Sequence, residues 1–416
     1  PFGEGWLQLE QSGDDLLIKL DRNGGGDSYT DTMVTLSAVS LSNFITQNAL
    51  PAGPLSNDPV IWEGTDDAER YVSGGGDDTL SAGGGDDEVL AGAGNDTIDG
   101  GVGNDILYGG MGNDTLTDAA LTSVYDQFLY GEGGDDTITG AGQIYGGDGS
   151  DSIEVSETGG SAWQGYVDAG AGDDVVSVDQ GQTGYVVGGS GNDTLVISNT
   201  LYYGVYADQE DDYTTSPDDG DDSVVLQGAW DGLSSWRAIY LGGGDDSLDV
   251  SGWEGVADES RTFYGQDGDD VYIGRDITKI NNTYDVFYGG EGFDLLTGGS
   301  AAEQLYGDED DDEIIGNGGN DKLYGGNGTD TLDGGEGDDN LEGGYGADTL
   351  TGGAGQDIFV YSSRYDGGDT ITDFTAGEGG DVLDFRPMFE SLGYTSADPF
   401  GEGWLQLEQS GDDLLI

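Results

Sequence analysis

Apolar positions recur every nine residues along much of this chain, each within a polar, glycine-rich setting. From Ser73 to Thr117, five consecutive nonapeptides read SGGGDDTLS, AGGGDDEVL, AGAGNDTID, GGVGNDILY and GGMGNDTLT. Each carries Gly at positions 2 and 4, Asp at position 6 and an aliphatic residue at position 8. The last three residues predict a short strand that points one side chain inward, and the glycines predict a tight turn with positive φ.

A second block of eight nonapeptides runs from Gly289 to Val360. One member, Gly298–Tyr306, has Ala302 and Glu303 where the second Gly and the Asp belong, which leaves its site in doubt. Two nonapeptides predict one coil with a turn on each side, and coils must stack because no repeat can bury its apolar residue alone. We therefore expect an all-β fold, a parallel β-roll or β-helix solenoid.

The turns carry candidate metal ligands. An Asp beside such a turn supplies a hard carboxylate oxygen, and the glycines leave main-chain carbonyls uncovered; oxygen ligands without nitrogen or sulfur suit Ca²⁺. The candidate ligands in the two blocks are Asp78, Asp87, Asp96, Asp105, Asp114, Asp294, Asp312, Asp321, Asp330, Asp339, Asp348 and Asp357. The alternative is an acidic, glycine-rich disordered chain. The fixed spacing over eight uninterrupted repeats argues against disorder when calcium is present.

Between Leu121 and Tyr288 the nonapeptides stop, but the turn recurs singly. Its candidate ligands are Asp136, Asp151, Asp174, Asp193, Asp222, Asp246 and Asp270. From Asp193 to Asp294 the intervals are 29, 24, 24 and 24 residues. We expect a wider coil with a single calcium ladder on one side and longer, irregular loops on the other. The alternative is a set of degenerate turns that bind no cation.

Charge and composition exclude several function classes. The chain has 85 acidic and 10 basic residues and a net charge of −75, which disfavours nucleic acid and anionic lipid as partners. It contains neither Cys nor His, which excludes disulfides, thiolate metal sites and His-based catalysis. No run of about 18 apolar residues predicts membrane insertion, and no cleavable signal peptide is recognisable. No enzymatic activity is expected.

The nonapeptides resemble the RTX, or haemolysin-type calcium-binding, repeat GGxGxDxLx of proteins secreted by bacterial type I systems. The resemblance implies a parallel β-roll in which the position-6 Asp residues and the turn carbonyls bind Ca²⁺. It also implies a secreted protein, extracellular or on the cell surface, with the type I secretion machinery as a partner. The segment after the last nonapeptide resembles the one that closes such rolls, and it adds Asp369 and Asp373 as candidate ligands of a final cation.

The chain begins and ends with the same 18 residues, Pro1–Ile18 and Pro399–Ile416, at an offset of 398. Reading on from Ile416 into Lys19 gives a sequence similar to the C-terminal secretion-target region of the same proteins. We interpret the two ends as halves of one cap module. Either units are fused in one long chain, or separate copies of the chain meet at this point. The stretch Asp21–Asp27 has oxygen ligands at alternate positions, although a plain hairpin turn is favoured.

The predicted organisation has six segments. They are the second half of a secretion-target-like β cap (1–50), a linker with the first strands (51–72), a β-roll of five nonapeptides (73–117), a widened β-solenoid with one calcium ladder (118–288), a β-roll of eight nonapeptides (289–360) and the first half of the cap (361–416).

The leading functional hypothesis is a secreted, calcium-dependent structural protein that forms a filament or surface array from tandem or head-to-tail units. The alternative is an adhesin or carbohydrate-binding protein with cell-surface glycans as partners. The residues that suggest it are Trp163, Tyr166, Tyr185, Trp230, Trp236, Tyr240, Trp253, Phe263 and Tyr264. Such aromatic residues more often form core or a lateral contact patch.

Overall fold

The structure, a computed structural model, forms two compact units, Pro1–Val256 (unit 1) and Ala257–Ile416 (unit 2). It describes residues 57–118, 127–156, 165–179, 183–198, 201–208, 220–228, 239–253, 261–276 and 284–394. It also describes the backbone of strands at 7–12, 15–20, 31–36, 408–410 and 413–415.

Unit 1 contains a parallel β-solenoid in which each coil gives one strand to a first sheet and one to a second sheet. The first sheet comprises β4 (Ile61–Glu63), β6 (Thr79–Ser81), β8 (Thr97–Asp99), β10 (Thr115–Thr117), β12 (Thr137–Gly140), β14 (Ser152–Ser156), β16 (Val175–Asp179), β18 (Thr194–Ser198), β20 (Ser223–Gly228) and β22 (Ser247–Trp253). The second sheet comprises β5 (Arg70–Val72), β7 (Glu88–Ala93), β9 (Ile106–Met111), β11 (Phe128–Gly133), β13 (Gln143–Asp148), β15 (Gly165–Ala171), β17 (Thr183–Ser190), β19 (Leu201–Tyr206) and β21 (Ile239–Gly243).

Unit 2 repeats this architecture. Its first sheet comprises β24 (Val271–Ile273), β26 (Leu295–Thr297), β28 (Glu313–Ile315), β30 (Thr331–Asp333), β32 (Thr349–Thr351) and β34 (Thr370–Ile371). Its second sheet comprises β23 (Thr262–Asp267), β25 (Asp285–Glu291), β27 (Glu303–Glu309), β29 (Lys322–Asn327), β31 (Asn340–Tyr345), β33 (Ile358–Val360) and β35 (Val382–Asp384). The predicted all-β parallel β-roll is therefore confirmed.

The alternation of side chains along each strand builds the core. In β10 the central Leu116 has no exposed surface, while Thr115 on one side of it is exposed. Leu116 pairs in register with Ile98 and Ile138 of the neighbouring coils, so the aliphatic residues form a column. Burying each such side chain contributes roughly 1.5–3 kcal/mol, and only stacking provides that burial.

A column of stacked tyrosines lies on the outer face of the second sheet. It comprises Tyr108, Tyr130, Tyr145 and Tyr166 in unit 1 and Tyr264, Tyr288, Tyr306 and Tyr324 in unit 2. The rings of Tyr306 and Tyr324 lie 4.4 Å apart with planes within 3°. Because ring faces within the stack cover one another, mainly ring edges and hydroxyls face outward.

This arrangement bears on the predicted aromatic cluster. Tyr166 and Tyr264 belong to the outer column, and Tyr185 and Tyr240 stack with Tyr206. Trp253 and Phe263 are buried core residues. Trp163, Trp230 and Trp236 lie outside the described residues. The described aromatic residues therefore form core and a sheet-face column, and they do not form a flat platform for a sugar ring.

The recurring 18 residues have the same backbone arrangement in both copies. In unit 1, β1 (Leu7–Ser12) pairs antiparallel with β2 (Asp15–Leu20), with Ser12 opposite Asp15, and β2 also pairs with β3 (Asp31–Leu36). In unit 2, β36 (Glu408–Ser410) pairs with β37 (Asp413–Leu415), with Ser410 opposite Asp413. The offset of 398 residues maps one hairpin register onto the other. The candidate stretch Asp21–Asp27 lies outside the described residues.

A short helix closes the solenoid of unit 2. Helix α1 (Arg386–Ser391) follows β35, and a proline lies in its first turn, where the missing N–H leaves no donor unpaired. Phe385 stacks on Tyr361 with ring centroids 4.9 Å apart, and Phe389 lies 5.0 Å from Tyr394. The sequence predicted an entirely β cap here, so the helix is a correction. Among the described residues, no helix has the length and apolar character needed to span a membrane.

We predict that Leu107→Ala destabilises the protein by about 2–5 kcal/mol, because Leu107 is fully buried in the core column and its loss leaves a cavity. Met111→Ala is the matched control, since Met111 ends the same strand and is 74% exposed. Urea unfolding at saturating calcium measures both variants. Equal free energies of unfolding for the two would contradict the assigned core.

Candidate calcium-binding ladders

Each coil makes two turns, and each Asp at position 6 is the residue just before a strand. Gly110 shows why glycine is required in the turn: its φ is +116°, and an added methyl group would collide with Gly92 O of the preceding coil. The coils therefore approach one another through bare backbone. This close approach brings the carboxylates and carbonyls of successive turns together.

The first ladder is the row of turns that lead into the first sheet. In unit 1 it contains Asp78, Asp96, Asp114, Asp136, Asp151, Asp174, Asp193, Asp222 and Asp246. In unit 2 it contains Asp270, Asp294, Asp312, Asp330, Asp348 and Asp369. The backbone N–H of each Asp donates to Oδ1 of the Asp one coil later. The ladder thus fixes one oxygen of every carboxylate by a hydrogen bond across the coil interface.

Insertions in the middle of unit 1 leave the first ladder unbroken. The sequence separation along it changes from 22 to 15, 23, 19, 29 and 24 residues. The N–Oδ1 distance nevertheless stays between 2.6 and 2.8 Å. Extra residues are therefore accommodated away from the hydrogen-bonded positions.

The second ladder leads into the second sheet and is shorter. In unit 1, Glu69 N donates to Asp87 Oδ1 and Asp87 N donates to Asp105 Oδ1. The next equivalent position is Gln127, which is fully buried, and the Asp series stops there. In unit 2 the series runs through Asp321, Asp339, Asp357 and Asp381, with N–Oδ1 distances of 2.7–3.1 Å.

The second carboxylate oxygen, Oδ2, has no hydrogen-bond partner at many of these positions. Those buried Oδ2 atoms belong to Asp87, Asp96, Asp105, Asp114, Asp136, Asp151, Asp174, Asp193, Asp294, Asp312, Asp330, Asp339 and Asp357. A buried ionised oxygen without a partner is costly. The repetition of the same orphaned atom in coil after coil therefore points to a cation.

The surroundings of Oδ2 fit calcium. A methyl group placed on Gly334 would lie 2.5 Å from Asp339 Oδ2 and 2.6 Å from Gly352 O of the next coil, so both oxygens face the same spot. Among the described residues, no three His, Cys, Asp or Glu side chains could hold a metal by themselves. Each site would therefore combine one carboxylate with main-chain carbonyls, an all-oxygen set that suits Ca²⁺.

Burial raises the pKa of the ladder carboxyls. Desolvation is the main cause, and neighbouring carboxylates add to it, while the backbone N–H bond opposes it. The pKa is raised to about 8 for Asp193 and Asp312, to about 7 for Asp114 and to about 6 for Asp105. Without a cation, the ladder thus favours the protonated form.

The structure separates the two candidate ligands of a final cation. Asp369 Oδ1 accepts from Asp348 N, so Asp369 continues the first ladder. Asp373 lies at the other turn, where its two oxygens accept from Gly352 N and Gly353 N. Asp373 therefore closes the end of the second row through backbone hydrogen bonds, and the two carboxylates do not share one site.

Several residues of these turns were not among the predicted ligands. Asp285, Glu303 and Asp381 occupy the position-6 place in the second row of unit 2, as their pairing with neighbouring strands shows. Glu303, left in doubt by the sequence, is 1% exposed, and its pKa is raised to about 10 by burial and by Asp321 and Asp285. The spacing of 18 residues from Asp285 to Glu303 and on to Asp321 is the signal that identifies this row.

We predict that Asp312→Asn weakens calcium binding at one site by at least about tenfold, or ~1.4 kcal/mol, because it removes the charge on a buried Oδ2. Asp311→Asn is the matched control: it removes the same charge one residue away, at an exposed side chain, and should shift affinity less than about twofold. Isothermal titration calorimetry measures both. Equal losses would mean that overall charge, and not the ladder oxygen, sets the affinity.

We also predict that stability depends on pH with opposite signs with and without calcium. Without calcium, the folded chain holds more protons than the unfolded chain between pH 3.8 and about 8, so its free energy of unfolding falls as the pH rises. With saturating calcium the carboxylates are ionised in the folded state, and the slope reverses. Urea unfolding at a series of pH values tests this; calcium-free stability that rises across the window would contradict it.

Comparison with known proteins agrees with this geometry. The family of the RTX calcium-binding nonapeptide repeat (4 copies) matches residues 63–98, 87–116, 125–144, 185–196, 285–314, 297–332, 306–341 and 333–363. No curated protein matches the chain significantly. The matches cover turns of both ladders in each unit, and they reach across the Glu303 turn that departs from the motif. The chain therefore belongs to the RTX calcium-binding repeat proteins.

Proposed function

We propose that this chain is a secreted structural protein that folds on calcium outside the cell and assembles into a filament or surface array. The observation that carries the proposal is the first ladder: every coil holds a buried carboxylate whose second oxygen faces a neighbouring carbonyl. RTX repeats are typical of secreted proteins. Coils of this kind make up most of the described residues of each unit.

Charge couples calcium to folding. With a net charge of −75, the chain repels itself, and stacking brings its carboxylates into close rows. Bound calcium would supply two positive charges per site beside oxygens that are already oriented by backbone N–H groups. Extracellular modules bind calcium with Kd of about 10⁻⁴ to 10⁻³ M. The chain is thus expected to stay unfolded at low cytosolic calcium, pass the type I secretion machinery, and fold outside, since ligand stabilises only the folded state.

Assembly is proposed from the recurring hairpin. The residues of β37 are those of β2, and β2 pairs along its other edge with β3. Among the described strands, β37 pairs only with β36. A strand equivalent to β3 would complete the β36–β37 sheet as it does in unit 1. That strand belongs to the next copy of the unit, whether it is fused in the same chain or held in a separate one.

Calcium removal tests the proposal. Dialysis of the secreted protein against a calcium chelator should abolish its β-sheet circular dichroism and disperse its fibres in electron micrographs. Readdition of calcium should restore both, whereas magnesium at the same concentration should not, because it demands octahedral geometry and retains its waters. Fibres and β-structure that persist without calcium would defeat the proposed mechanism.

The mass of the dispersed species distinguishes the two forms of assembly. Mass spectrometry of denatured secreted protein near one unit, 43.1 kDa, would show non-covalent head-to-tail contacts. A large multiple would show covalent tandem units. A single-unit mass with no higher species in calcium by light scattering would refute assembly while leaving calcium-dependent folding intact.

A further inference from the structure

One turn in the second row of unit 2 departs from all its neighbours. Gly274 and Arg275 stand where the next coil has Gly298 and Gly299, since a methyl group on Gly299 would collide with Arg275 O. The turn then ends at Asp285, the position-6 place before β25. It spans twelve residues from Gly274 to Asp285, against six from Gly298 to Glu303. An arginine thus replaces a glycine of the motif at a lengthened turn.

The arginine side chain engages the ladder carboxylate of its own turn. Arg275 Nε donates to Asp285 Oδ2 at 2.6 Å, and Nη2 donates to Oδ1 at 3.0 Å. The two side chains are only 5% and 3% exposed. In Asp339 and Asp357, the same Oδ2 atom has no hydrogen-bond partner. The atom that faces a prospective cation elsewhere in this row is therefore bound here to a guanidinium.

The oxygen-lined spot of the other turns is also missing here. A methyl group on Gly298 would lie 2.6 Å from Gly316 O and 3.1 Å from Glu303 Oε2, and one on Gly316 or Gly334 would meet a similar pair of oxygens. A methyl group on Gly274 would instead meet Gly299 N at 2.9 Å and Gly298 C at 3.0 Å. No carboxylate or carbonyl oxygen is among its nearest neighbours.

We propose that the Arg275 guanidinium is a built-in cation that replaces calcium at the Gly274–Asp285 turn. The inference rests on the proposed calcium binding of the neighbouring turns. A planar guanidinium matches a carboxylate in two parallel hydrogen bonds and stays charged at all physiological pH values. It neutralises Asp285 without a cage of carbonyls, which the longer turn does not provide. Calcium sites in this row therefore begin after Asp285.

The test counts calcium ions on the full chain and follows folding during a calcium titration. In Arg275→Met/Asp285→Leu, the number of ions bound at saturation, measured by atomic emission after gel filtration, should equal that of the wild type. Asp339→Leu, the reference, should lose about one ion per chain. Arg275→Gln alone leaves Asp285 buried without a cation, so the calcium concentration at half-folding should rise several-fold. The double variant should bring it back to the wild-type value.

Loss of about one ion in the double variant would overturn the inference, since Asp285 would then be a calcium ligand. An unchanged folding midpoint in Arg275→Gln would overturn it as well. If the double variant does not fold in saturating calcium, Arg275→Gln/Asp285→Asn, which keeps both shapes, takes its place. A wild-type chain that binds no calcium would instead defeat the proposed function, and this outcome is distinct from both.

Discussion

Repulsion between stacked carboxylates is the constraint on which the rest of this structure depends. Parallel strands lie about 4.8 Å apart, so a ladder that places one ionised carboxylate in each coil brings like charges to nearly that distance. At an effective dielectric constant of about 20, each neighbouring pair costs roughly 3 kcal/mol. This is as large as the gain from burying one aliphatic side chain. Hydrophobic stacking alone therefore does not settle the fold, and the sign of the balance depends on what neutralises the ladder.

The core and the ladder are linked by the backbone, because the Asp lies two residues before the buried aliphatic residue of the same strand. Asp114 and Leu116 illustrate this: Thr115 N donates to Asp96 O, and Leu116 pairs with Ile98. A shift of one residue in the strand register would move both rows together. The chain consequently adopts either the full set of contacts in a coil or very few of them, which favours cooperative folding of neighbouring coils.

The regular parts of the fold and of the candidate site were predictable from sequence because the period is fixed. Asp78 to Asp114 and Asp312 to Asp357 follow from nine-residue spacing, and Asp136 to Asp270 from the recurring turn. The rest depends on departures from that period. Asp285 lies in a lengthened turn, so its place in the row is visible only once β25 is paired with β27. Arg275 required a three-dimensional contact across ten residues. Helix α1 depends on the local proline and on aromatic packing, and the resemblance to roll-closing segments pointed to strands there.

The constancy of the first ladder across coils of unequal length has a consequence for how such proteins diverge. One edge of the unit 1 solenoid holds the hydrogen-bonded spine, with N–Oδ1 distances that hardly vary, while the separation along the chain ranges from 15 to 29 residues. Insertions and deletions at the opposite edge are then nearly neutral for the spine. Coil length is free to drift between related proteins, and the family matches leave most of this stretch uncovered although its strands continue to pair. Architecture in this protein is inherited through spatial register, and sequence period is only its most easily erased trace.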